Sequence, residues 1–191
     1  MRLLASLTAA TAAFVVLAAS AAELEGFPVP DAEQVHGEAL VLNGAAVRRF
    51  SVFKIEVAAL YLREPRATAD AVAALPGPKR LRLVLLRDVP NAVMARKFRS
   101  DVQGASTPAE WSQVEADVER LVAAFGTTSF RRGDVLTIDG LPGGGIVPSH
   151  NGRDLAASPI TNELLYRVVL RIFIGPDADA DARAHLLGQA R

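Results

Sequence analysis

The chain has 191 residues, of which 21 are basic and 21 acidic, half are hydrophobic and none is cysteine. A net charge of zero gives no electrostatic footprint for nucleic acid or for an anionic membrane. The absence of cysteine excludes disulfides and a cysteine nucleophile, so stability must come from packing.

The first segment predicts export. Arg2 gives a short positive start, residues 3–22 contain no charged side chain, and Ala19-Ser20-Ala21 is a small-residue cleavage site. The alternative is a retained membrane anchor, because the uncharged stretch is just long enough to span a bilayer. Its high content of Ala, Ser and Thr favours cleavage. We therefore expect a signal peptide at 1–22, no stable membrane anchor after its removal, and one periplasmic or secreted domain over 23–191.

After an aperiodic, Pro-rich lead-in, the first predicted elements are strands. Residues 39–42 form a short apolar run that ends at the turn-forming pair Asn43-Gly44. Residues 47–62 are rich in Val, Ile, Phe and Tyr. In the second half of that stretch, apolar and polar side chains alternate with the period of two that is typical of a half-buried strand. Residues 80–87 predict a further strand.

The middle of the chain is predicted to be helical. Residues 90–102 have helical character, and Thr107-Pro108-Ala109-Glu110 is a capping box with Pro at the first helical position. Behind it an apolar stripe at helical spacing runs to Phe125, and Gly126 is a suitable terminator. This stripe predicts a helix that faces the core and not a cofactor site.

Strands return in the last third of the chain. Residues 134–138 and 145–147 are short β patterns, and Asn151-Gly152 predicts a tight hairpin turn, because both residues must accept positive φ. A helix is predicted from Ser158-Pro159 to Gly175-Pro176, and a short terminal helix follows. This order of elements predicts an α+β fold, with an antiparallel sheet that carries helices on one face.

Patterns that resemble common functional sites are incomplete. The glycines of residues 141–145 precede a strand, whereas a phosphate loop needs a helix after its glycines. The acidic residues after Gly175 lack the Gly and Glu that complete a calcium loop, so they are interpreted as helix caps. The three histidines are scattered, and Ser158 lies in no Gly-x-Ser-x-Gly elbow. We therefore expect no metal and no cofactor.

Arg48 is harder to explain as an ordinary surface residue. With Arg49 it begins an otherwise apolar strand. A guanidinium on the inner side of a sheet must find an anion or several acceptors, since it stays charged at any working pH. For Arg49 we expect an orientation towards water. For Arg48 the residues alone leave both orientations open.

Three sequence blocks in the first strands are distinctive: Leu42-Asn-Gly-Ala-Ala-Val-Arg48, Phe53-Lys54 and Val57-Ala-Ala-Leu-Tyr-Leu62. With residues 80–88, 132–134, 151–152 and 172–175, these blocks resemble the chalcone isomerase family, and its exported bacterial members more closely. It implies an open-faced β-sandwich, a large antiparallel sheet under a layer of helices with a ligand cleft between them. In the plant enzymes a phenol oxygen adds to an enone, and an arginine that matches Arg48 stabilises the developing enolate.

The other catalytic positions of the plant enzymes are not matched. The resemblance places Glu56 at a strand threonine, Ala92 at the tyrosine, Arg99 at the asparagine and Ile172 at a late threonine. An unbroken strand would separate Arg48 from Glu56 by about 26 Å, so both can line one pocket only if the chain folds back or bulges between them. All five positions are predicted ligand-binding residues, and Arg48 is the catalytic one if the protein is an enzyme.

Three functions remain open. Other members of the family are non-catalytic and bind fatty acids, holding the carboxylate with the equivalent arginine, and a bidentate contact at an apolar cleft suits that role. We predict first a periplasmic, non-catalytic protein that binds a small apolar carboxylate through Arg48. The alternatives are an isomerase for an enone-type substrate, and a structural or partner-binding protein. The binding role requires a buried Arg48 that is not already paired with an internal carboxylate, and Glu56 is the residue most able to pair with it.

Overall fold

The computed structural model describes residues 21–126, 129–143, 145–156 and 160–190. Its strands are β1 (Ala21–Leu24), β2 (Phe27–Pro30), β3 (Ala32–Val35), β4 (Glu38–Phe50), β5 (Phe53–Leu62), β6 (Lys79–Leu85), β7 (Val135–Leu141), β8 (Gly145–His150) and β9 (Arg153–Asp154). Its helices are α1 (Ala69–Ala74), α2 (Asn91–Gly104), α3 (Pro108–Ala124), α4 (Glu163–Ile174) and α5 (Ala180–Leu186). The predicted signal peptide lies outside the described residues, except for Ala21 and Ala22 at the start of β1.

The strands β3 to β9 form one antiparallel sheet, in which each strand pairs with the next along the chain. Side chains on one face of this sheet pack against the helices and form the main core. The predicted α+β antiparallel sheet with helices on one face is therefore confirmed. Among the described residues, no helix has the length and apolar character needed to cross a membrane.

The second face of the sheet is covered by a hairpin. Strands β1 and β2 pair antiparallel, and Val29 of β2 packs with Val57, Tyr61 and Val84 in a separate hydrophobic cluster. The Tyr61 hydroxyl donates a hydrogen bond to the Pro30 carbonyl at 2.9 Å. The lead-in segment, which the sequence predicts only as an ordered strand or loop, is this hairpin.

The prediction of a turn at Asn43-Gly44 is wrong. Strand β4 is continuous from Glu38 to Phe50, and its pairing with β5 shifts register between Leu42 and Gly44. The side chain of Asn43 donates to the Leu186 carbonyl at 2.7 Å and accepts from the Arg66 N–H at 2.7 Å. These bonds to two other segments stabilise a bulge at Asn43, so the strand bends without ending.

The helix signals near residue 107 are confirmed. Thr107 and Glu110 form the capping box of α3. Arg171 of α4 donates two hydrogen bonds to Glu110, at 2.6 and 3.0 Å, and these bonds together with those from Thr107 lower the pKa of Glu110 to about 2. The start of α3 is therefore tied to α4.

The later turn and cap predictions are confirmed, and one helix start is corrected. Asn151 and Gly152 have φ values of 50° and 76°, as their hairpin turn requires. Asp179 caps α5 by accepting from the Ala182 N–H. The predicted helix start at Ser158-Pro159 lies outside the described residues, and α4 begins at Glu163, after an Asn162 cap.

Candidate functional site

Arg48 and Glu56 are cross-strand partners. The chain folds back at residues 51–52, and Arg49 pairs with Lys54 across the hairpin. A register shift after Arg49 then places Arg48 directly opposite Glu56. The fold-back that the sequence required for one shared site is therefore present, and both side chains lie on the face of the sheet that carries the helices.

The guanidinium of Arg48 is already paired. Its Nη1 donates to Glu56 Oε1 at 2.6 Å, and its Cζ lies 4.1 Å from the centre of the Phe173 ring on α4. The side chains of Arg48 and Glu56 are 22% and 12% exposed. The condition that no internal carboxylate is paired with Arg48 is therefore not met.

This pairing limits what the site can do as it stands. A guanidinium has five N–H donors, and within the described residues the side chain of Arg48 makes one hydrogen bond, to Glu56. Donors therefore remain for a second anion. The net charge of the pair is nevertheless zero, and an incoming carboxylate must share Arg48 with Glu56 or displace it.

The structure does not gather the other predicted residues around this pair. Ala92 is exposed in the first turn of α2. Arg99 is exposed and contacts α3, with Nη2 3.1 Å from Glu115 Oε1 and Nε 2.5 Å from Glu119 Oε1. Ile172 is half-buried on α4 and packs against the main core. A ligand-binding role for these three residues stays a prediction.

A cavity of about 260 Å³ lies at the other end of α4. It is lined by Lys79 at the start of β6, by the turn between β7 and β8, and by Tyr166 and Leu170 of α4. Seven residues of helix, about 10 Å, separate Tyr166 from Phe173, the residue that contacts Arg48. None of the five predicted site residues lines this cavity.

Two buried residues with polar groups, Lys79 and Tyr166, line this cavity. Lys79 Nζ donates to the Leu75 carbonyl at 2.6 Å, and burial lowers the pKa of Lys79 while the charge of Glu163 opposes that shift. Burial raises the pKa of Tyr166, whose hydroxyl has no partner of normal geometry among the described residues. Sequence reasoning missed both, because a lysine at a strand start and a tyrosine in a helix usually reach water.

Comparison with known proteins identifies the family. The family model described as chalcone isomerase-like matches residues 21–188. The chain belongs to the chalcone isomerase-like family. A crystal structure of a fatty-acid binding protein from Arabidopsis thaliana is similar to this chalcone isomerase-like chain, with a TM-score of 0.74 and 16% sequence identity over 90% of this chain and 96% of that chain. No curated protein matches the chain.

The family assignment confirms the predicted architecture. A curled seven-stranded antiparallel sheet with a layer of helices is the fold that the resemblance in residues 42–62 implied. At 16% identity, the similarity to the Arabidopsis structure shows a shared fold. Within that fold, this chalcone isomerase-like protein carries a paired Arg48 on the helix-facing side of its sheet.

Proposed function

We propose that this protein is an exported, non-catalytic binding protein for a small apolar carboxylate, such as a fatty acid, which reaches Arg48 by sharing it with Glu56 or by displacing Glu56. The observation that carries the proposal is the position of Arg48. Its guanidinium lies between the sheet and α4, over the ring of Phe173, and donates a hydrogen bond to Glu56. The similarity to a plant protein named for fatty-acid binding supports the ligand class, and the signal-peptide pattern predicted at 1–22 supports a periplasmic location.

The same geometry argues against isomerase chemistry. Electrostatic catalysis depends on charges that are already arranged for the transition state. Here Glu56 neutralises the cation that would stabilise an enolate, and the side chains at Ala92 and Ile172 offer no hydroxyl to orient substrate and water. The polar constellation that the cyclisation needs is therefore reduced to one arginine that is already paired.

We expect no cyclisation of naringenin chalcone above the spontaneous rate. Positioning groups contribute orders of magnitude to such a reaction, and only Arg48 matches the enzyme pattern. The measurement is chalcone loss by absorbance, with and without protein, for the wild type and for Arg48→Ala. Saturable turnover that Arg48→Ala abolishes would establish the isomerase instead.

Glu56 determines how a carboxylate can reach Arg48. The Glu56 carboxylate occupies Nη1 of Arg48 at 2.6 Å and repels a second anion. A bound ligand must therefore compete with Glu56 for the guanidinium. Replacing Glu56 with glutamine removes the negative charge and keeps the size of the side chain, so this substitution separates competition from packing.

We expect Arg48→Ala to weaken fatty-acid binding about 10- to 100-fold, the range for losing a hydrogen bond to a charged group. Arg48→Lys should lose much of the affinity, because an ammonium cannot make the planar two-point contact. Glu56→Gln should tighten binding by about tenfold, because it removes the repulsion between the Glu56 carboxylate and the carboxylate of the ligand. Tenfold corresponds to a repulsion of about 1.4 kcal/mol. The measurement is the dissociation constant for a C12–C16 fatty acid by titration calorimetry.

Arg49→Ala is the matched control, because neighbouring strand residues point to opposite faces and Arg49 is exposed. Its dissociation constant should equal that of the wild type.

A structural role for Arg48 is the second candidate function, and it is favoured by the Arg48–Glu56 pair and by the contact of Arg48 with Phe173. If Arg48→Ala and Glu56→Gln lower the melting temperature but leave the dissociation constant unchanged, the binding role of Arg48 is wrong and the structural one is right.

A further inference from the structure

The tip of the β4–β5 hairpin exposes a cluster of apolar side chains. Phe50, Val52 and Phe53 are 63%, 80% and 52% exposed. Phe50 and Phe53 are cross-strand partners, and Val52 lies in the turn between them. Val93, 40% exposed, belongs to α2, the helix whose Lys97 lies near the Phe50 ring. Single exposed apolar residues are ordinary, but two aromatic rings and a valine at one projecting turn indicate an interaction site. We call Phe50, Val52 and Phe53 the hairpin tip.

Cations lie around the hairpin tip. The guanidinium of Arg87 lies 4.7 Å from the centre of the Phe53 ring, and Lys97 Nζ lies 5.6 Å from that of Phe50. The Arg49–Lys54 pair directly follows the phenylalanine pair along the hairpin. These four basic residues surround an apolar end of the molecule.

Part of this positive charge is not neutralised. Lys54 pairs with Glu25, and Lys97 pairs with Asp101. Within the described part of the chain, neither Arg49 nor Arg87 has a carboxylate at ion-pair distance. The zero net charge of the whole chain predicted no footprint for an anionic membrane. That average conceals a local excess of positive charge at the hairpin tip.

We propose that the hairpin tip docks on an anionic lipid bilayer. Aromatic and aliphatic side chains bury favourably at the headgroup boundary, and flanking Lys and Arg side chains are attracted to anionic lipids. Phe50, Val52 and Phe53 supply the first contribution, and Arg49 and Arg87 supply the second. The hairpin lies next to Arg48, so docking would place the membrane beside the proposed carboxylate contact, but vesicle binding does not depend on that contact.

A second copy of the chain fits this surface less well. Two hairpin tips that met would bring Arg49 and Arg87 of each copy close to those of the other, and like charges in an interface are unfavourable. A projecting turn also offers little area compared with the roughly 800 Å² that each partner of a stable protein complex buries. A bilayer needs no complementary shape and supplies the negative charge.

The test is co-sedimentation with vesicles, using exported protein whose N-terminus has been sequenced near residue 22 or 23. Vesicles of phosphatidylglycerol and phosphatidylethanolamine should bind the protein, and phosphatidylcholine vesicles should bind it much more weakly. The double variant Phe50→Ser/Phe53→Ser should lower the partition coefficient at least about tenfold, because two aromatic side chains no longer bury. Arg49→Gln and Arg87→Gln should each lower it about fivefold and reduce its dependence on salt.

Val41→Ser is the matched control. Val41 is an exposed apolar residue of the same strand, paired with Leu62 at the opposite end of the hairpin from the tip. This variant should bind vesicles like the wild type. Equal vesicle binding by the wild type and by Phe50→Ser/Phe53→Ser would overturn the proposal. So would a wild-type dimer in analytical ultracentrifugation that the double variant loses without any change in vesicle binding, because the tip would then be a contact between copies.

Discussion

Gly44→Ala is expected to lower the free energy of unfolding by about 3 kcal/mol or more, more than most single substitutions do. A Cβ at this position would lie 2.0 Å from the His185 carbonyl oxygen and 2.9 Å from that of Leu186. Both oxygens belong to the backbone of α5, so no side-chain rotation relieves the contact. Helix α5 would have to move away from β4, which breaks the Asn43–Leu186 hydrogen bond and uncovers the buried Leu186 side chain.

Urea unfolding followed by circular dichroism measures this effect, and Gly104→Ala is the matched control. Gly104 lies in α2, has no positive φ, and has no atom within 4 Å of its added Cβ. An alanine there should be neutral or should stabilise the protein by up to about 1 kcal/mol, because alanine favours helix. Equal unfolding free energies for the two variants would show that α5 does not pack on β4 as described.

The difference between two Asn-Gly pairs shows how far local sequence predicts this fold. At Asn151-Gly152 both residues have positive φ and the chain turns, as predicted. At Asn43-Gly44 neither residue has positive φ, and the strand continues through a bulge. The dipeptides are identical, so the deciding interactions are tertiary. The first Asn-Gly pair is stabilised by contacts with α5, more than 140 residues away along the chain, and no local pattern encodes them.

The pairing of Arg48 with Glu56 depends on a single extra residue. In a regular two-residue hairpin, the pairs Phe50–Phe53 and Arg49–Lys54 would continue as Arg48 opposite Ile55. Glu56 would then point to the other face of the sheet. The bulge removes Ile55 from the pairing and brings Glu56 to the face of Arg48. Residue types and spacing predicted that Arg48 and Glu56 could share one site if the chain folded back or bulged. Whether they pair depends on this one bulge, which inserts a single extra residue and which the sequence pattern did not locate.

The covering of the second sheet face was also beyond sequence reasoning. Residues 23–34 contain two prolines and no apolar period, so they predict little regular structure. The β1–β2 hairpin forms because Phe27 and Val29 bury against a sheet face that is already apolar. The capping box of α3, by contrast, is a local hydrogen-bond pattern, which is why it was predicted correctly.

Gly140→Ala is expected to destabilise the protein by about 2–3 kcal/mol, as overpacking of a buried site does. The added Cβ would lie 2.3, 2.5 and 2.7 Å from Cε1, Cζ and Cδ1 of the Tyr166 ring. Tyr166 is 6% exposed and belongs to the main core. These are three adjacent atoms of the ring, so the methyl group meets the ring itself and not the flexible end of a side chain.

A double-mutant cycle with Tyr166→Leu tests the cause of this loss. Tyr166→Leu alone should cost about 1–2 kcal/mol, because it removes buried aromatic surface but also a hydroxyl that has no hydrogen-bond partner of normal geometry within the described residues. In the Gly140→Ala/Tyr166→Leu protein the smaller side chain leaves room for the methyl group. The loss of stability of this double variant should therefore be smaller than the sum of the two single-variant losses by at least about 1 kcal/mol. Losses that add within about 0.5 kcal/mol would contradict a direct contact.

Fatty-acid affinity should stay unchanged in all four proteins, because Tyr166 lies about 10 Å along α4 from Phe173, the residue that contacts Arg48. A cycle that alters affinity and stability together would instead place the ligand in the cavity beside Tyr166.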